Sequence, residues 1–176
     1  MRASALSVRK EERKDSHPNL MVPFIVILVL ISDQFTKFLV TKKLLLNQSI
    51  PLIKGIFLLT LVHNRGAAFG ILKNQTPLFI FTTLLAVILI YSHLKKKRLG
   101  TLTQVEGKVK EKRFSLYTLS LCLILGGALG NLADRLFLGY VVDFLDFRVW
   151  PVFNIADSAI SVGAVLLGWS ILRAKN

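Results

Sequence analysis

The sequence lacks the residue patterns on which several common hydrolase classes depend. Its single cysteine, Cys122, lies in an apolar run, so an intrachain disulfide is impossible and a buried structural thiol is expected. The three histidines are scattered and no HExxH motif occurs, which argues against a zinc protease. No GxSxG motif is present, and no serine has a histidine or lysine base in register, which argues against a serine hydrolase.

Acidic residues are also few, with ten aspartates and glutamates against 23 lysines and arginines. The resulting charge of +13 could indicate a nucleic-acid partner, but no basic face interleaved with stacking aromatic residues is found. The basic residues cluster instead in residues 1–20, in residues 95–113 and at the C-terminus, and these pieces flank long apolar runs. That distribution is typical of the cytoplasmic segments of a membrane protein, so we expect no nucleic-acid binding.

Hydrophobic residues, in contrast, make up 53% of the chain. Four apolar runs are each long enough to cross a bilayer as a helix, which takes about 20 residues, and they cover residues 21–40, 77–94, 114–138 and 155–172. We therefore predict an all-α membrane protein with four transmembrane helices, a polar cytoplasmic tail at residues 1–20 and a single membrane domain at 21–176.

Charge asymmetry predicts the orientation of these spans. With both termini and residues 95–113 in the cytoplasm, the inner pieces hold fifteen basic and five acidic residues, and the remainder holds eight and five. Residues 41–76 and 139–154 then lie outside. The first of these contains SIPLIKGIFLLTLVHN, whose β-branched and apolar residues predict a small strand pair or a membrane-surface element.

Five aspartates lie outside the predicted cytoplasmic pieces: Asp33, Asp134, Asp143, Asp146 and Asp157. Asp134 lies 18 residues beyond Leu116 in the outward-running third span, and this separation corresponds to roughly 27 Å of helix. Asp157 begins the inward-running fourth span, so the aspartates gather near the outer face. Carboxylates in apolar surroundings are costly unless they are paired, and at membrane depth they indicate a functional site.

The chemistry open to such a cluster is limited. The acidic loop lacks the ligand spacing of a calcium site, and we expect neither a metal nor a cofactor. Two close carboxylates can share one proton, so that one activates a water while the other polarises a peptide carbonyl, as in aspartic proteases. An ion- or proton-coupled carrier is the alternative, although it would need polar groups near the midplane. A structural membrane subunit would leave these polar residues unexplained.

Five motifs, in order along about 125 residues, resemble those of the bacterial lipoprotein signal peptidases, the signal peptidase II family. They are DQFTK at 33–37, NRGAAFG at 64–70, GNLADR at 130–135, VVDF at 141–144 and FNIADS at 153–158. The tail and the basic loop near residues 99–113 lie outside the resemblance.

The resemblance implies an aspartic endopeptidase of the bacterial inner membrane that cuts a prolipoprotein just before a diacylglyceryl-modified cysteine. It implies that Asp143 and Asp157 are the catalytic pair, and that residues 41–76 form a small sheet and a surface helix that cradle the substrate. The family positions that bind substrate or support the site fall on Asn64, Gly66, Asn131, Asp134, Arg135 and Asn154. Membrane lipids are expected as further partners, and we expect a monomer.

Several other polar residues outside the predicted catalytic pair also have a predicted role. Asp146 is a second catalytic candidate, although a solvated loop carboxylate fits it better. Asp33 and Lys37 are spaced i, i+4, which predicts a structural ion pair. Arg135 could pair with Asp134 or hold a substrate carbonyl. Small residues at 126–130 predict close helix packing.

Overall fold

The computed structural model describes residues 20–66, 74–102 and 115–174, and within them it has four helices and three strands. The helices are α1 (Met21–Lys43), α2 (Thr76–Leu102), α3 (Leu116–Phe137) and α4 (Ile155–Ala174). The strands are β1 (Ser49–Ile53), β2 (Phe57–Asn64) and β3 (Val141–Asp146). Most of the predicted cytoplasmic tail and much of the basic loop lie outside the described residues.

All four helices are long and apolar enough to cross a membrane. Each coincides with one of the predicted apolar runs, and its ends differ from the prediction by no more than a few residues in three of the four cases. Helix α2 continues beyond its apolar run. The part of α2 that could span a membrane ends at Lys96, and the helix ends at Leu102. The predicted four-span architecture is therefore confirmed.

Helix α3 is the most buried of the four, and it contacts each of the other three. Glycines make this close packing possible, as the small residues at 126–130 predicted. A Cβ atom added to Gly127 would collide with the carbonyl oxygen of Ala156 in α4, and one added to Gly126 would lie 2.9 Å from the Cβ of Val29 in α1. The residues of α3 that follow these glycines are thereby brought against the start of α4 and the end of α1.

The three strands form an antiparallel sheet in the order β1-β2-β3. Strands β1 and β2 are the predicted pair, joined by a turn in which Gly55 has a φ of 77°. Strand β3 was not predicted, because residues 139–154 read as a connection between two spans. It is buried because Val142 and Phe144 pack against Val40 and Leu44 at the end of α1. The surface helix predicted within residues 41–76 is not found in residues 44–66, and residues 67–73 lie outside the described residues.

Candidate active site

Asp143 lies on β3 and is almost fully buried, with 1% of its surface exposed. Both of its carboxylate oxygens accept a hydrogen bond from an asparagine amide. Asn154 Nδ2 donates to Oδ1 at 2.7 Å, and Asn64 Nδ2 donates to Oδ2 at 2.8 Å. The carboxylate is thus fixed in position by neutral donors from two other parts of the chain.

Asp157 lies in the first turn of α4 and is partly exposed. Asn131 Nδ2, on α3, donates to its Oδ1 at 2.7 Å. Asn154 caps the helix, because its side-chain Oδ1 accepts the backbone N–H of Asp157 at 2.8 Å. The cap fixes where α4 begins, and therefore where the Asp157 carboxylate lies.

The two asparagines also join the two carboxylates into one network. Asn154 Nδ2 donates to Asn131 Oδ1 at 3.1 Å and to the carbonyl oxygen of Val142 at 3.2 Å. The resulting path runs from Asp143 through Asn154 and Asn131 to Asp157. This network holds together α3, β3 and the start of α4.

The surroundings of Asp143 favour its protonated form more than water does for an exposed aspartate. Burial and the nearby charge of Asp157 raise the pKa of Asp143 to about 7. The hydrogen bonds from Asn64 and Asn154, together with the positive charge of Lys37, act in the opposite direction. Two interacting carboxylates of this kind titrate as a pair that holds a single proton over a range of pH.

A cluster of buried ion pairs contacts the asparagine network through Asn131. Lys37 Nζ lies 2.7 Å from Asp33 Oδ2, one turn earlier on α1, and 2.9 Å from Asp134 Oδ2 on α3. It also donates to Asn131 Oδ1 at 3.1 Å. All four side chains are at least 94% buried. Removing one partner of a buried pair usually costs about 3–5 kcal/mol, so this cluster gives α1 and α3 one defined register.

The two carboxylates of that cluster also bind the backbone that carries the catalytic candidates. Asp33 Oδ1 accepts the N–H of Ala156 at 2.9 Å, and Asp134 Oδ2 accepts the N–H of Val142 at 3.0 Å. Each of these backbone groups immediately precedes a candidate aspartate. The spacing of Asp33 and Lys37 predicted their ion pair, but it did not predict this second contact, which depends on how α1 packs against α4.

Arg135 and Asn64 complete the set of predicted residues. In the part of the chain that the structure describes, the cation within ion-pair distance of Asp134 is Lys37, and Arg135 stacks instead on the ring of Phe79 at 5.1 Å. Its charge interacts with those of both candidate aspartates. Asn64 is oriented by the backbone N–H of Gly66, which donates to its Oδ1 at 2.9 Å.

Asp146 lies apart from this network. Its Oδ2 accepts from Thr60 Oγ1 at 2.7 Å and its Oδ1 accepts the N–H of Arg148 at 2.8 Å. Gln34, which the sequence analysis did not single out, donates to Asp134 Oδ1 at 2.9 Å. Gln34 follows Asp33 in the DQFTK motif, and this position was the sequence feature that could have indicated a role at the site.

Two carboxylates joined by a polar network are suited to the activation of a water molecule for hydrolysis. Among residues 20–66, 74–102 and 115–174, no group of three or more histidine, cysteine, aspartate or glutamate side chains is arranged to hold a metal ion.

Comparison with known proteins gives a consistent result. The family model described as "Signal peptidase (SPase) II" matches residues 25–173. A lipoprotein signal peptidase of Halothermothrix orenii is 48% identical over 149 residues, which cover 84% of this chain and 92% of the relative. One from Moorella thermoacetica is 46% identical over 156 residues, covering 86% and 93%.

Solved structures resemble the whole fold. A bacterial membrane enzyme determined by the in meso method at 2.3 Å resolution superposes with a TM-score of 0.76 at 27% identity, covering 91% of this chain and 92% of the other. A second bacterial membrane enzyme, determined in the same way at 1.9 Å, gives a TM-score of 0.72 at 28% identity, covering 89% and 95%. The likeness therefore extends over the helices and the sheet together.

Proposed function

The chain belongs to the signal peptidase II family of aspartic endopeptidases, and from that premise we propose that Asp143 and Asp157 form its catalytic pair. The observation that carries this proposal is the asparagine network, which joins these two carboxylates and excludes Asp146. The family removes signal peptides from lipoproteins, and the aspartates are the groups that would activate the hydrolytic water.

The proposed mechanism divides the work between the two side chains. Asp143, with its pKa raised to about 7, holds the shared proton and donates it in a hydrogen bond to the scissile carbonyl oxygen. Asp157, which is more exposed, accepts a proton from the water that attacks the carbonyl carbon. The C–N bond then breaks as the proton that Asp157 took from the water passes to the leaving amine, and the pair returns to its starting state with the shared proton on Asp143. Asn64, Asn131 and Asn154 keep both carboxylates in place through this cycle.

The proposed substrate is a prolipoprotein that is cut just before its diacylglyceryl-modified cysteine. The acyl chains would remain in the bilayer beside the spans, and the apolar signal helix would lie in the membrane next to them. Anchoring at a fixed depth would hold the scissile bond against Asp143 and Asp157, and such positioning can contribute a large part of a rate enhancement. The positions of the two carboxylates support this arrangement, because Asp143 lies on β3, which follows the end of α3, and Asp157 lies in the first turn of α4.

The proposed setting is the bacterial inner membrane, with both termini in the cytoplasm, the site near the outer face and the chain acting as a monomer. Arg135, Asp134 and Gly66 would support the site rather than carry out chemistry. Arg135 is partly exposed and interacts with both aspartates, so it is the residue we assign to a substrate carbonyl.

The experiment that tests this function compares two peptides that differ only in the lipid. Purified protein in detergent is given a prolipoprotein peptide with a diacylglyceryl-modified cysteine and the same peptide without the lipid, and the products are identified by mass spectrometry. We expect one cut, immediately before the modified cysteine, and slower cleavage of the unmodified peptide by about a hundredfold or more. Equal cleavage of both peptides, or a cut elsewhere, would contradict the proposed substrate.

A further inference from the structure

A groove of about 320 Å³ lies against the C-terminal part of α1, and no member of the asparagine network lines it. One wall is formed by Thr36, Leu39, Val40 and Lys43. These positions are spaced i, i+3, i+4 and i+7, so they form a single stripe along the helix. The wall is apolar in its deeper part and ends at a lysine.

The opposite wall of the groove belongs to the sheet, with Ile50 from β1, Leu59 from β2 and Phe144 from β3. Phe144 directly follows Asp143, and neighbouring side chains on a strand point to opposite faces. Phe144 packs with the core beside α1, whereas Asp143 bonds to the asparagines. The groove and the proposed catalytic pair therefore lie on opposite sides of the same strand.

The rim of the groove is basic. Lys43 is exposed at the last position of α1, and Lys42 precedes it. Residues 41–66, which run from this point through the hairpin, contain four basic residues and no acidic one. An apolar groove at the end of a membrane-spanning helix, with a cation at its mouth, matches an acyl chain whose headgroup is negatively charged.

We propose that this groove binds one acyl chain of an anionic phospholipid from the leaflet nearest the aspartates, with its phosphate paired to Lys43. The bound chain packs on Leu39 and Phe144 and fills the space between α1 and the sheet. It thereby stabilises β3, the strand that carries Asp143, from the side away from the substrate. This inference stands apart from the proposed peptidase mechanism, because it concerns residues outside the catalytic network.

The test measures lipid binding directly, without a substrate. Protein stripped of phospholipid in a neutral detergent is titrated with phosphatidylglycerol or with phosphatidylcholine of the same acyl chains. Bound lipid is counted by native mass spectrometry, and the thermal unfolding midpoint is followed in parallel, because a ligand of the folded state raises it. We expect one tightly bound phosphatidylglycerol, at least about fivefold higher affinity for it than for phosphatidylcholine, and a rise in the unfolding midpoint.

Matched variants separate the headgroup contact from the groove. Lys43→Gln should weaken phosphatidylglycerol binding about fivefold, and Lys54→Gln, which removes a lysine of the same segment outside the groove, should leave it unchanged. Leu39→Trp fills the groove and should abolish tight binding of the lipid, whereas Phe38→Trp, on a different face of α1, should not. Equal affinity for the two lipids, or wild-type binding by Lys43→Gln or Leu39→Trp, would overturn the proposal.

Discussion

Within the part of the chain that the structure describes, side-chain amides and not direct ion pairs hold the two candidate aspartates. Asn64 and Asn154 donate to Asp143, and Asn131 donates to Asp157. A neutral amide orients a carboxylate with less stabilisation of its charge than an adjacent arginine would give. Burial can therefore keep the pKa of Asp143 near 7, where the group exchanges its proton readily at neutral pH.

The raised pKa of Asp143 predicts the pH dependence of cleavage. An acid whose pKa is raised keeps its proton to higher pH, so the pair retains its shared proton up to about pH 7 and loses it above. We expect kcat/KM to fall above that pH, approaching a tenfold loss for each pH unit, when cleavage of the lipidated peptide is measured from pH 5 to pH 9. A rate that keeps rising through pH 8 and 9 would contradict the assignment of the proton to this pair.

Asn64→Ala supplies the matched variant for this profile. Loss of its hydrogen bond removes stabilisation of the charged Asp143, so the pKa rises and the alkaline limb should move to higher pH. The expected shift is about one pH unit, because a hydrogen bond to a charged group contributes about 1.5 kcal/mol and one unit corresponds to about 1.4 kcal/mol. A lower rate with an unmoved limb would mean that Asn64 acts in another way.

Motifs direct attention to single residues, whereas contacts with a distant element cannot be predicted from them. The VVDF and FNIADS motifs pointed to Asp143 and Asp157, and the structure brings these two into one network. The contact of Asp33 with the backbone of Ala156 spans 123 residues of sequence. The spacing of residues along one helix does not predict such a contact. The hydrogen bond from Gln34 to Asp134 also joins two different helices, so it could not be predicted from spacing either.

At the scale of elements, the site depends on how closely α3 approaches its neighbours. Gly127 lies against the backbone of Ala156, and Gly163 of α4 faces the backbone of Ser120, to which an added Cβ would come within 2.8 Å. Asn131 lies one turn beyond Gly127, and Asp157 directly follows Ala156. Any separation of the two helices would therefore lengthen the hydrogen bond between Asn131 and Asp157.

Gly127→Ala should consequently lower both stability and activity. The added methyl group meets a backbone carbonyl that cannot rotate away, and overpacking of this kind costs about 1–3 kcal/mol. Gly168→Ala is the control, since that glycine is also helical but has open space around it, and alanine favours a helix by about 1 kcal/mol. Thermal unfolding in detergent should show a lower midpoint for the first variant only; equal midpoints would contradict the packing argument.

The elements themselves were predictable to different degrees. Long apolar runs determine transmembrane helices almost by length alone, and all four were found. Strand β3 was missed because Val141–Asp146 is short, carries two aspartates and lies between two spans. Its strand character comes from pairing with β2 and from packing on the end of α1, and both are long-range effects.

At the scale of the whole molecule, the polar residues gather at one end of the helical bundle. The network and the ion-pair cluster lie in the second half of α1, the last two turns of α3 and the start of α4. A carrier needs polar groups near the midplane that can be reached from both sides, whereas the polar residues here lie toward the end of the bundle that would meet one membrane surface. The predicted orientation places that surface outside the cytoplasm.

Cysteine labelling tests that orientation. Cys122 is the one native cysteine and is fully buried, so it is replaced by alanine before Leu52→Cys or Lys95→Cys is introduced. In intact spheroplasts we expect a membrane-impermeant maleimide to label the cysteine at position 52, in the hairpin, and to label position 95 only after permeabilisation. Labelling of position 95 in intact spheroplasts would contradict the predicted topology.

The most direct test of the central claim is the single-turnover rate of cleavage of the lipidated peptide by Asp143→Asn, with Asp146→Asn as its control. Both variants remove a carboxylate from β3, but only Asp143 belongs to the network with Asp157. We predict a loss of about a thousandfold or more for Asp143→Asn, no further loss when Asp157→Asn is added, and a change within a few fold for Asp146→Asn. Near wild-type cleavage by Asp143→Asn, or a comparable loss in Asp146→Asn, would contradict the account.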